Sequence, residues 1–190
     1  DRRQRQMCIR DRFNTLLFEL NEISTWRKLF GSAQVDSRMR DIEYILRFFI
    51  MKSDDILKST SNQISLKKAL NHFMDLHRND SPEDIDFYRS QFTATIQAIY
   101  NSVGENAFKN YSNGKFSKKF HPDIFDSLMV SAYFSISRKN TLPNVSLETH
   151  LSLLADSRFK ESISKRTTDI ENIKRGISIA GHTLFGVVLE

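Results

Sequence analysis

The sequence is short of several residue types. Cysteine occurs once in 190 residues, as Cys8, which excludes a disulfide framework and any multi-thiolate metal site. Six glycines and three prolines make about 5% of the chain against a usual ~12%. Turn-dense β architectures need more of both, so helices are favoured. The glycines are scattered and form no phosphate-cradling loop. No apolar run approaches the ~18 residues of a membrane span, since the stretch 45–51 is short and carries Arg47. These absences set the expectation of a cytoplasmic protein with no membrane partner.

The residues that are present supply a core. A hydrophobic fraction of 39% with 27% charged residues suits one globular domain. There are 28 basic and 23 acidic residues, net +5, with pI ≈ 9.3, a balance that points toward nucleic acid. The charge is unevenly placed. Five arginines and two aspartates fall in residues 1–12, DRRQRQMCIRDR, and without them 23 basic and 21 acidic residues remain, net +2. That segment has neither a helical nor a strand period. Its run QRQMCIRDR resembles the translated sequencing-adaptor tail found at the ends of metagenomic gene fragments, so it is expected to be non-native and is left out of fold reasoning. A basic arm for nucleic acid is the competing reading.

From residue 13 the hydrophobic period is helical. Phe13, Leu16, Leu17 and Leu20 form one stripe, and a short turn with Trp26, Leu29 and Phe30 stops at Gly31. Asp36 is expected to cap a helix burying Met39, Ile42, Ile45, Leu46, Phe49 and Ile50, with Arg40, Glu43 and Arg47 on its other face. Residues 54–62 read as a loop. Ser65 starts another helix, and Ser81-Pro82-Glu83-Asp84 opens a long one that Gly104 ends. Residues 107–120 read as an irregular basic segment with a turn at Asn113-Gly114. A helix follows from Pro122. Ser146 and Asp156 cap two shorter ones, and Thr168-Asp169-Ile170-Glu171 is a capping-box pattern opening the last. The expectation is all-α: an irregular multi-helix bundle of six to eight helices over 13–190.

Several of these segments together resemble a known family. FNTLLFELNEISTWRKLFG (13–31) followed by DSRMRDIEYILRFF (36–49) is similar to the N-terminal-domain family of GmrSD-type, modification-dependent restriction endonucleases, in which a pattern FN-x-L-L-x-E-L-N, W-R-x-L-x-G, D-x-R-M-x-D-x-E-x-I-L-R-F is typical. GENAF (104–108), PDIFDSLMVSA (122–132) and DSRFKESISKRTTDIENIKRGI (156–177) resemble later landmarks in the same order. The resemblance implies a helical C-terminal part of an otherwise α/β, ParB-like nucleotide-binding domain, whose D-G-Q-Q-R-like motif is not in this sequence. It implies a prokaryotic anti-phage defence role, DNA as a partner, and a nuclease domain or subunit. Nucleoside triphosphate and divalent metal would belong to the intact protein. No catalytic or cofactor residue carries over, because the positions that would receive it are not in the chain, so the chain itself is expected to be inactive.

The residues offer a few candidates of their own. Lys115, Lys118, Lys119 and His121 cluster with Phe116 and Phe120 interleaved, a pattern that can hold phosphates and stack a base. The alternative is a solvated loop whose two phenylalanines anchor it to the core. Arg38, beside Arg40 and Arg47, is a second candidate, although Arg40 and Arg47 can equally pair with Asp41 or Glu43 along one helix. His72 and His77 stand five apart, the wrong spacing for a helical zinc pair, and no third ligand accompanies His72 and Asp75. His121-Pro122-Asp123 has the letters of a J-domain signature, but Pro and an acid in a first turn explain it as a helix start. The remaining class is a free-standing helical module that binds nucleic acid or protein without catalysis.

Overall fold

A computed structural model describes residues 11–164 and 169–189. Among them are ten α-helices and one two-stranded sheet, with 66% of the chain helical, so the all-α expectation holds. The helices are α1 (Arg12–Asn21), α2 (Ser24–Phe30), α3 (Arg40–Met51), α4 (Asp54–Leu57), α5 (Leu66–Leu76) and α6 (Pro82–Ser102). The hairpin strands β1 (Lys109–Ser112) and β2 (Lys115–Phe120) follow. Then come α7 (Pro122–Lys139), α8 (Leu147–Ala155), α9 (Ser157–Ser164) and α10 (Ile170–Ala180), the last running into a π-helical turn, Gly181–Phe185.

The middle of the bundle is α7. Its residues 124–132 are buried without a break, because α3, α6, α10 and the π-helical turn pack around it. A helix enclosed on all sides has no solvent face to give its polar residues, so they must find partners inside. Ser127 Oγ donates to the Asp123 carbonyl and Ser131 Oγ to the Ser127 carbonyl, while Asp126 is met by an arginine from α3. Where α10 crosses α7, Gly176 leaves no room: a Cβ there would lie 2.6 Å from Ser127 Oγ and 3.2 Å from Ser162 Oγ. A second aromatic layer holds α1, α3, α5 and α6 together, with Phe13 edge-on to Phe49, Phe73 and Tyr88.

The helix ends follow their local chemistry. Ser81 and Asp84 form a reciprocal capping box on α6, with Pro82 at its first turn. Ser65 and Ser146 cap α5 and α8, and Gly31 closes α2 in the left-handed conformation at φ 86. Asp156 accepts from the amides of Arg158 and Phe159 and so opens α9. Asp11 caps α1 through the Asn14 amide, and Arg12, its first residue, donates to the Asp80 carbonyl.

Four local expectations are corrected. Most of the segment 107–120 is a β-hairpin, not irregular chain, with strands from Lys109 to Phe120 turning through Asn113 (φ 52) and Gly114 (φ 76). That is the Asn-Gly pairing a tight hairpin turn demands, and helical surroundings masked it. Residues 54–57 form a helical turn, α4, instead of loop. Met39, in the left-handed conformation, stands before α3 where Asp36 was expected to cap. Asp36 instead accepts from the Arg38 amide at 2.8 Å. The last helix is capped by Asp169, which receives the amides of Glu171 and Asn172; Thr168 lies outside the described residues, as do Cys8 and the rest of 1–10.

Candidate functional site

Four letters of the first two resemblance segments, Asn21, Trp26, Arg27 and Asp41, meet in space. Asn21 ends α1, Trp26 and Arg27 lie on α2, and Asp41 is in the first turn of α3. Asn21 Oδ1 accepts from Trp26 Nε1 and Arg27 Nη1, both at 2.9 Å. Asp41 Oδ2 accepts from Asn21 Nδ2 at 3.0 Å, Arg27 Nη1 at 2.7 Å and the Asp36 amide at 3.0 Å. Arg27 also donates to the carbonyls of Ser32 and Gln34. Burial alone would raise the Asp41 pKa, but its several donors hold it below the ordinary carboxylate value. Every arm of this network ends on the protein itself, so it locks the α2–α3 loop to α1.

A second charged cluster lies between α3 and α7. Arg47 is 4% exposed and hydrogen-bonded to Asp126, with Asp123 at 3.7 Å. This corrects its expected place on a solvated face, paired along α3. Arg40 likewise pairs backward with Asp36 at 2.7 Å, not with Glu43 or Asp41. Burial works against the Arg47 charge, yet the two carboxylates hold its pKa above the ordinary guanidinium value. Two acids against one base leave one carboxyl surplus. Burial, reinforced by Asp126, pushes Asp123 up to about 7. Asp126 Oδ1 has no protein partner. A void of about 10 Å³ beside it is walled by Asp123, Asp126, Ser127, Ser162 and Asn172, room for about one water. Sequence reasoning missed this pair. The available signal was a charge inside an apolar run in both helices: Ile-Leu-Arg-Phe-Phe around Arg47 and Ile-Phe-Asp-Ser-Leu around Asp126.

The candidate basic residues sit on and beside the hairpin. Its register moves from Tyr111 opposite Phe116 to Lys109 opposite Phe120, so β2 spends four residues where β1 spends two. The extra residues bulge, which lets both phenylalanines turn inward while Lys118 and Lys119 both stay exposed. Phe120 packs among Trp26, Phe30, Tyr44, Phe108 and Phe125, and Phe116 stacks on His150 at 5.4 Å. Neither ring is free to stack a base, so the anchoring alternative describes them. Lys115 stands at the exposed hairpin tip. Lys119 lines a cleft of about 600 Å³ with Asp36, Arg40 and Tyr44, and Arg38 is exposed on the loop that forms its far wall. The structure therefore brings Lys119, Arg40 and the Arg38 loop together and leaves Lys115 at the tip. Arg40 contributes little free charge there, because its hydrogen bonds hold Asp36 ionised, with a pKa lowered to about 2.

Three of the five histidines are taken up by packing, while His72 and His182 are exposed. His77 Nδ1 meets Asp80 at 2.6 Å beneath Phe13 and Phe73. His150 is 2% exposed, and burial depresses its pKa to about 4. His121 precedes Pro122 at the α7 start. Among the described residues no group of three or more metal-ligating side chains converges, and no helix is long and apolar enough to cross a membrane. Compared with known proteins, the chain matches no family model, no curated protein and no solved structure.

Proposed function

We propose that the chain is the helical part of a GmrSD-like, modification-dependent DNA restriction protein, and that it braces a ParB-like nucleotide-binding half without performing chemistry itself. One observation carries the reading: Asn21, Trp26, Arg27 and Asp41, letters drawn from separate stretches of the quoted pattern, are one another's hydrogen-bond partners. A pattern that recurs because it builds one loop lock has this property. A chance string of matching letters has no reason to. The role that follows is to hold the α2–α3 loop and the hairpin rigid, with Lys115, Lys118, Lys119 and Arg38 exposed beside them for a phosphate backbone. DNA and a nuclease domain or subunit are the partners this reading assigns, and nucleoside triphosphate with divalent metal belongs to the partner half.

The test is the coding sequence upstream of residue 13 in the source genome. A D-G-Q-Q-R-like motif in frame supports the reading. An initiator methionine immediately before Phe13 overturns it and leaves the free-standing helical module. The exposed, bulged lysines favour that second reading only if the protein alone binds duplex DNA with an affinity that falls steeply with salt.

A further inference from the structure

A different cleft, remote from the hairpin, has the composition of a ligand site. It opens between the C-terminal half of α7, the outer stripe of α10, α4 and the end of the described chain, with a volume of about 410 Å³, within the range of small-molecule sites. Its apolar floor is Leu57, Phe134, Ile177 and Leu189. Three cations and one carboxylate stand around that floor: Arg138, Lys174 and Arg175, with Glu171. Arg175 is offset by Glu171 at 3.4 Å and Glu161 at 3.9 Å. The other two are fixed differently. Lys174 Nζ donates to the Ser59 carbonyl at 2.9 Å, and Arg138 donates to the Val188 carbonyl. Neutral carbonyls orient these cations without cancelling them, and among the described residues no carboxylate pairs with either. A lysine and an arginine held this way at the rim of an apolar hollow present unspent positive charge and spare donors next to surface that gains by leaving water.

We infer that this cleft binds a small organic anion, an oxyanion head on an apolar body, with Arg138 and Lys174 taking the head and Phe134, Ile177 and Leu57 the body. A neutral hydrocarbon satisfies only the floor, a free inorganic anion only the rim, and a cationic amphiphile is repelled.

The test uses the full chain and 8-anilinonaphthalene-1-sulfonate as a fluorescent probe, displaced by ten-carbon competitors below their micelle concentrations. Decanoate and decyl phosphate distinguish a carboxylate head from a phosphate ester, and displacement by either supports the site. Decanol is expected to be at least about tenfold weaker, and decyltrimethylammonium inert. Arg138→Gln with Lys174→Gln should weaken the anionic competitors at least about tenfold and leave decanol unchanged. Because Arg138 also holds the chain end, Ser178→Trp provides a second variant: it keeps both cations, fills the cleft, and should abolish displaceable probe binding with the circular dichroism spectrum unchanged. Equal displacement by decanol and decanoate, undiminished decanoate binding in the double variant, or undiminished binding in a folded Ser178→Trp protein overturns the inference.

Discussion

Arg47 shows how one residue type can be read correctly and placed wrongly. Its charge fits the exposed face of an amphipathic α3, and only the approach of α7 from elsewhere in the chain makes that face interior. The guanidinium then survives burial because Asp126 and Asp123 meet it. Removing one member of such a pair costs more than removing both, since the survivor stays buried and charged. Arg47→Met is expected to lower the unfolding free energy by about 3–5 kcal/mol, and Arg47→Met with Asp126→Leu to recover most of that, both measured by urea denaturation. The surplus acid makes a second prediction. Asp123 has a folded pKa of about 7 against 3.8, so the folded state binds its proton more tightly. Its favourable contribution is complete at low pH and is lost as pH rises from about 4 through 7. His150, held near 4 instead of 6.5, acts oppositely, its contribution being lost as pH falls from 6.5 toward 4. Asp123→Asn removes the first slope and leaves the second. Its stability relative to the parent should therefore rise with pH by up to about 1.4 kcal/mol per unit across that window; a difference independent of pH contradicts the placement of that proton.

Elements were legible where their signals are local. Ser65, Ser81, Ser146 and Gly31 mark helix ends in the sequence and do so in the structure, because a cap acts within one turn of itself. The hairpin was legible only at its turn. Strands of four and six residues with a bulge give no clean alternation, and their lysines belong to a register that only pairing reveals. The α7–α10 crossing was not legible at all, for nothing near Gly176 in sequence announces that Ser127 will lie against it. Gly176→Ala gains helix propensity but must push Ser127 Oγ aside from 2.6 Å. Overpacking should outweigh propensity, with a net loss of about 1–2 kcal/mol in thermal or urea unfolding. Gly176→Ala combined with Ser127→Ala, which clears the obstructing hydroxyl, should restore much of it.

At the scale of the molecule, the net charge that first suggested a nucleic-acid binder is largely a property of residues 1–12. Basic side chains of the rest gather at the hairpin bulge and the Arg38 loop, and again around the cleft that holds Arg138 and Lys174. The fold class was readable because helical periodicity runs through most of the chain. The candidate site was readable only as a cluster of lysines, since the cleft that Lys119 shares with Arg40 is made by two segments about eighty residues apart in sequence. The charged groups buried deepest, Asp41, Arg47 and Asp126, are spent on holding elements together, in keeping with the bracing role proposed for the chain. The most direct test is steady-state nucleoside-triphosphate hydrolysis and duplex-DNA cleavage by the purified, folded protein with magnesium present. The account predicts no turnover above buffer; turnover that co-purifies with the chain and disappears in Asp41→Asn or Asp126→Asn protein that is still folded would contradict it.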